Sequence, residues 1–215
     1  SEVRSIVKDL DLKVNSAHMD AGAFFDPNQP DYFKQHLEEV VKAGQAFAVI
    51  GWVPEEHREK YDDYKRAVDL ANEAGELAKK ANVQLAYHNH NFEFKPFEKG
   101  TPYDLLLSKT EPDLLHFELD VFWCDLAGLD PVPLMEKIGD RLALLHLKDK
   151  NKGVKDRYEG SEVSDFKEVG NGVLDFPAIL KTAQALGVSH CLVEQDESPD
   201  PLASLGMSME YLNQI

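Results

Sequence analysis

Short runs rich in Val, Leu, Ile and Phe alternate along the chain with stretches whose apolar residues recur every three or four positions. The runs are Leu12 to Ala17, Ala46 to Ile50, Val83 to Tyr87, Leu114 to Leu119, Leu142 to Leu147 and Cys191 to Val193. They read as strands buried on both faces. Between them, Phe33, Leu37, Val40 and Val41 form one helical stripe and Tyr61, Tyr64, Val68 and Ala71 another. Ahead of the first run, Val3, Ile6, Val7 and Leu10 predict a helix. Asp130 followed by Pro131 has the form of an N-cap with proline at the first helical position, and Asp175 precedes the stripe Phe176, Ile179, Leu180 and Ala183. Gly187 fits the stop of that helix. Leu202, Leu205, Met209 and Leu212 predict a last helix that closes the fold, and no linker interrupts residues 1–215, which read as a single domain.

Polar residues stand at or just past the end of each run: His18, Trp52, His88 with His90, Asp120, His146 and Glu194. The intervals between them are 34, 36, 32, 26 and 48 residues. The first four suit one strand and one helix each, and the last is long enough to hold another strand, placed at Lys167 to Val169. That gives seven strands, all parallel by the length of their connections. A helix with no strand ahead of it then implies an α/β (β/α)8 TIM barrel whose first strand is missing or lies upstream of residue 1. The competing architecture, a doubly wound open sheet, lacks support, because no G-x-G-x-x-G or Walker-type loop follows any run.

The 215 residues are 43% apolar and 29% charged, enough for a substantial buried core. The formal net charge is −16, which repels phosphate backbones and anionic lipid and removes nucleic acid and membranes from the expected partners. No apolar run approaches the roughly 20 residues needed to cross a bilayer, and Ser-Glu-Val-Arg is no signal peptide. A cytoplasmic location is expected, with a signal peptide upstream of residue 1 left open, as is a homo-oligomer. Cys124 and Cys191 are too few for a disulfide framework and read as buried structural thiols.

Three strand ends carry carboxylates or lie next to one: Glu93 follows Tyr87-His88-Asn89-His90, Asp120 closes Phe117-Glu118-Leu119-Asp120, and Glu194 closes Cys191-Leu192-Val193-Glu194. His146 ends a fourth strand, two residues before Lys148, and Glu118 reads as structural. In a parallel barrel these ends converge, so Glu93, Asp120, His146 and Glu194 would present three carboxylates and an imidazole to one centre. Three carboxylates packed together repel, whereas a divalent ion neutralises them and accepts the imidazole nitrogen. Oxygen-rich ligation favours Mn²⁺ or Mg²⁺, with Zn²⁺ or Co²⁺ compatible.

The stretches Tyr-His-Asn-His-x-Phe-Glu-Phe, Glu-Leu-Asp-Val-x-Trp, Leu-His-Leu-Lys-Asp, Val-Gly-Asn-Gly-Val-Leu-Asp-Phe and Val-Glu-Gln-Asp occur in that order along nearly the whole chain. Together they resemble the sugar phosphate isomerase/epimerase family of the xylose isomerase-like TIM barrels. The resemblance implies a metal held by Glu93, Asp120, His146 and Glu194, with the two glutamates also serving as acid and base. One position departs from the ketose epimerases of that family: Trp123 stands where they place a histidine, three residues past the metal-binding aspartate. The Tyr-His-Asn-His branch also resembles proteins acting on 3-keto-glycosides, C-glycoside deglycosidases among them.

The expected chemistry is a metal-dependent sugar isomerase or epimerase. A metal that chelates a sugar carbonyl and the adjacent hydroxyl acidifies the C–H between them, and Glu93 and Glu194 are the candidate bases. With a leaving group on the β carbon, the same enediolate eliminates, so a 3-keto-glycoside lyase or hydratase is the alternative. A catalytically inactive sugar-binding barrel is the other. His18, His88, His90 and Lys148 are candidate ligands for substrate oxygens, and Trp123 a candidate wall for a sugar face, although packing alone explains a tryptophan equally well. A metal-dependent endonuclease on the same barrel would need a basic groove that a charge of −16 does not offer.

Overall fold

The computed structural model describes residues 2–97, 99–188 and 190–215, with side chains from residue 6 onward. Val3 of the predicted first stripe therefore lies outside the described side chains. Contacts divide the chain into two compact units, Ser1–Tyr87 with Ser108–His116, and His88–Leu107 with Phe117–Ile215.

In the first unit helix and strand alternate as expected: α1 (Glu2–Asp9), β1 (Ser16–Met19), α2 (Ala21–Phe25), α3 (Tyr32–Ala43), β2 (Phe47–Ile50), α4 (Asp63–Lys80) and all of β3 (Gln84–His88) but its last residue. The three strands are parallel, and their register sets Met19 opposite Ile50 and Ile50 opposite Tyr87. Helical crossovers of this length are what parallel pairing requires. β2 is buried throughout, but β1 is not. Leu12 and Val14, expected to begin the first strand, are exposed and precede it. On α3, Phe33, Leu37 and Val40 are buried while Val41, one position further round the helix, is half exposed. Tyr64, Val68 and Ala71 form the buried face of α4, which continues through Ala67, Ala74, Gly75 and Ala78, and Tyr61 precedes the helix. The small residues allow close approach: a Cβ on Gly75 would lie 2.5 Å from the Leu114 carbonyl oxygen. Ile6 on α1 and Leu10 just beyond it are more than half exposed.

The second unit contains most of α5 (Pro102–Lys109) and β4 (His116–Asp120), followed by α6 (Val121–Leu126), α7 (Pro131–Ile138), β5 (Leu142–Leu147), β6 (Asp149–Lys150), β7 (Phe166–Lys167), α8 (Phe176–Leu186), β8 (His190–Val193) and α9 (Pro201–Leu212). β4, β5 and β8 form a parallel ladder in which Asp120 stands opposite His146 and His146 opposite Leu192. The strand expected at Lys167 to Val169 is displaced and reversed. It is β7, and it pairs antiparallel with β6. Only a three-residue 3-10 turn, Val163–Asp165, lies in the loop between them, so the chain folds back as a ribbon instead of crossing over a helix.

The caps follow the sequence. Asp130 accepts the Val132 N–H at 3.0 Å, Asp175 accepts the Ala178 N–H at 3.1 Å, and Gly187 ends α8 at φ 75°. Helix α9 corrects an expectation. Its buried residues are Ser204 and Ser208, whereas Leu202, Leu205 and Met209 are exposed. Two polar anchors turn it that way: the Ser204 hydroxyl donates to Glu168 at 2.9 Å, and Ser208 Oγ accepts the Val169 N–H at 3.0 Å. The cysteines are both free, Cys124 buried and Cys191 exposed on β8, so only the first fits the expected buried thiol.

Candidate active site

The ends of β4 and β5 in the second unit carry a buried ionic cluster. Asp120 is the last residue of β4 and the N-cap of α6, so its Oδ1 accepts the N–H groups of Phe122 and Trp123 at 3.0 and 3.1 Å. Its backbone is held by Asn89, whose Oδ1 accepts the Asp120 N–H at 3.0 Å. Asp120 Oδ2 faces inward, 3.3 Å from His88 Nε2, 3.1 Å from Lys148 Nζ and 3.7 Å from His146 Nδ1.

His146 spans two carboxylates, with Nε2 3.3 Å from Glu118 Oε1 and Nδ1 2.8 Å from Glu194 Oε2. Lys148 continues the network to Glu194 at 2.8 Å and Asp196 at 2.6 Å. Asp120 and Glu118 are fully buried, Lys148 and His146 nearly so, and the Glu194 side chain is 47% exposed. The cluster is therefore closed on the β4 side and open at Glu194.

Each charge holds the others. Burial raises the Asp120 carboxyl, but Lys148, His88 and His146 outweigh it and keep the group well below the usual carboxylate range. Burial also raises Glu194, which His146 and Lys148 bring well below that range. The His146 imidazole is pulled down by burial and lifted by Glu118, Glu194 and Asp120 to about 10, so it is protonated at neutral pH. Lys148 is likewise lowered by burial and raised above its ordinary value by Asp120, Glu194 and Asp196.

Of the four expected ligands, three come together: one donor atom from each of Asp120, His146 and Glu194 lies within 4.8 Å of the others. Glu93 is not in that trio. It sits in the 3-10 turn Phe92–Phe94, and that turn brings its Oε2 back onto the His90 N–H, 2.8 Å away. His88, at the end of β3, is the residue that reaches Asp120 instead, and its ring lies 4.7 Å from that of His146.

The remaining candidates are His90, Trp123 and His18. His90 stacks on Phe92 at 5.3 Å and tilts against Trp123 at 4.9 Å. Trp123 is buried among His90, Phe122 and Phe166, with Lys148 Nζ 5.9 Å from its ring centre, and its indole N–H has no hydrogen-bond acceptor among the described residues. His18 lies on β1 in the first unit, with an exposed side chain. Two participants were missed by sequence reasoning, Glu118 and Asp196. Glu118 was detectable, since it stands two residues before Asp120 and so shares its face of the strand.

The cluster fits a divalent cation. Glu118, Asp120, Glu194 and Asp196 bring four negative charges to Lys148 and a protonated His146, leaving the site anionic. Loss of the His146 proton would free Nδ1 as a ligand, with Nε2–H donated to Glu118 in the usual way of a buried metal-binding histidine.

A sequence model for xylose isomerase-like TIM barrels matches residues 1–215. The chain belongs to that family. Within the xylose isomerase-like TIM barrels it is similar to a sugar phosphate isomerase/epimerase from Parabacteroides distasonis ATCC 8503. The two are 30% identical and superpose with a TM-score of 0.82 over 98% of this chain and 74% of that one. It is also 26% identical over 166 residues to an inosose dehydratase of Geobacillus kaustophilus, a match covering 71% of this chain and 53% of the relative. The chain thus spans about half the length of that curated relative. A xylose isomerase-like TIM barrel protein from Mycobacterium smegmatis, solved in complex with magnesium, shares the fold at 16% identity, with a TM-score of 0.71 over 99% of this chain and 76% of that one. Among the described residues no helix is long and apolar enough to cross a membrane.

Proposed function

We propose that the chain carries the active site of a divalent-metal-dependent enzyme that removes the proton next to the carbonyl of a sugar or sugar-derived ketone, as an isomerase or epimerase does. The convergence of Asp120, His146 and Glu194 carries this reading. These three would hold the ion, and His88 Nε2, 3.3 Å from Asp120 Oδ2, orients that carboxylate. When bound, the ion supplies positive charge to the carbonyl and the neighbouring hydroxyl, so that the carbon acid ionises at neutral pH. With two carboxylates and one imidazole as donors, the site accepts Mn²⁺ or Mg²⁺ as well as Zn²⁺ or Co²⁺.

Glu194 is the base. Its carboxylate is 47% exposed on the open side of the cluster, from which it can accept a proton from substrate. Lys148, anchored on Asp196 at 2.6 Å, donates hydrogen bonds to the developing oxyanion or to a departing hydroxyl. Glu93 serves as a positioning residue, holding the loop that presents His90.

A second reading, β-elimination from the same enolate, is favoured by one observation. The second base needed to epimerise across two faces is turned onto the His90 backbone, where Glu93 Oε2 accepts the His90 N–H at 2.8 Å. The inosose dehydratase relative agrees with that reading. Incubation in D₂O with a ketose, a 3-keto-glucoside and an inosose tests both. Metal-dependent deuterium uptake next to the carbonyl supports proton abstraction, and the product then separates epimerisation from loss of water. No uptake from any of the three, with metal present, would refute the proposal for these substrates.

A further inference from the structure

Lys148 occupies the oxygens that a metal would use. Asp120 has one oxygen committed to the N-terminus of α6, where Oδ1 accepts two backbone N–H groups, so only Oδ2 is available to a ligand. Lys148 Nζ is 3.1 Å from that atom and 2.8 Å from Glu194 Oε2, the same two oxygens that face His146 Nδ1. Asp120 cannot turn a fresh oxygen toward an incoming ion without giving up the α6 cap. An ammonium and a divalent ion sharing both oxygens in a buried site would repel strongly. One of them must leave.

The structure also supplies a place for the lysine to go. Asp196, outside the ligand trio, accepts from Lys148 Nζ at 2.6 Å, and its side chain is 32% exposed where that of Asp120 is fully buried. The Trp123 ring, 5.9 Å from Nζ, offers a second favourable face to the cation.

We propose that Lys148 is an exchangeable internal cation: it neutralises Asp120 and Glu194 in the metal-free protein and withdraws onto Asp196 when a divalent ion binds. The inference rests on the metal-dependent reading above and deepens it. It assigns Lys148 as a competitor of the metal and Asp196 as the residue that relieves the competition.

Titration calorimetry with Zn²⁺ and Mn²⁺ on the whole chain tests it. Lys148→Gln removes the competitor and is expected to tighten metal binding by about tenfold, the scale on which one neighbouring charge acts. Asp196→Asn leaves the lysine without its alternative partner and is expected to weaken binding by about threefold or more. In the Lys148→Gln background, Asp196→Asn is expected to change affinity by less than about twofold, because Asp196 acts through the lysine. A lysine that instead supports the ligands from outside would give weaker binding on removal, by about 10–100-fold. That result, or an unchanged affinity in either single variant, overturns the exchange. Should Lys148→Gln fail to fold, Asp196→Asn decides alone. A parent protein that binds neither ion refutes the metal reading itself, an outcome distinct from a parent that binds and a variant that binds no better.

Discussion

Asp120 and Asp149 are both fully buried carboxylates at the ends of strands of the second unit, and they are stabilised in opposite ways. Asp149 is held by backbone alone. Its two oxygens accept the N–H groups of Lys150, Gly170, Gly172, Val173 and Leu174 at 2.8 to 3.1 Å. Asp120 has two such amides, and its remaining oxygen meets the side chains of Lys148, His88 and His146. Backbone donors are fixed by the fold and cannot be exchanged for a ligand. Side-chain cations can move or lose a proton. The difference separates a carboxylate that ties a loop in place from one that is available for chemistry.

The largest expected effect comes from breaking the backbone-held carboxylate. Asp149→Ala takes away an acceptor shared by five N–H groups, of which Val173 keeps the Lys150 carbonyl, and is expected to cost about 3–5 kcal/mol in urea unfolding, with metal affinity of the folded fraction unchanged. Asp120→Asn is expected to invert that pattern. Metal affinity should fall by about 100-fold or more in calorimetry, while the unfolding free energy changes less than for Asp149→Ala. Third in size, Gly172→Ala would set a Cβ 2.3 Å from Asp149 Oδ1 and from the Lys150 carbonyl oxygen. Neither neighbour can retreat without loosening the loop, and about 1–3 kcal/mol of stability should be lost.

The pH dependence belongs to the cation-held site. His146 is raised when folded, so in metal-free protein its stabilisation is complete below its unfolded value of about 6.5 and disappears as pH rises toward about 10. Asp120 and Glu194 are lowered, so their stabilisation is present above about 4 and is lost on acidification. Between pH 7 and 10 the metal-free parent should lose stability that the His146→Gln variant does not, measured by urea unfolding at each pH.

Much of the architecture was legible in the sequence because buried parallel strands are nearly continuous apolar runs. β2, β3, β4, β5 and β8 fall within a residue or two of the runs that announced them. The exceptions share a cause. Leu12, Val14, Leu202 and Met209 are apolar but exposed, and hydrophobicity alone does not say which apolar residues find a neighbour. The β6–β7 ribbon was missed because an interval of 48 residues fixes the room for a strand and not its direction. In the site, Asp120, His146 and Glu194 were readable as charges at the ends of strands. The path of the Glu93 side chain, set by a three-residue turn, and the reach of Lys148 to Asp196 across the end of β8, depend on geometry that spacing does not carry.

The central claim is that Asp120, His146 and Glu194 form one divalent-metal centre. Elemental analysis of the purified protein after loading with Zn²⁺ or Mn²⁺ and desalting, beside thermal unfolding with and without chelator, tests it most directly when the parent is compared with Glu194→Gln. The account predicts close to one ion per chain in the parent, a melting temperature lowered by chelator, and loss of both in the variant. An equal metal content and an equal chelator response in parent and variant would contradict it.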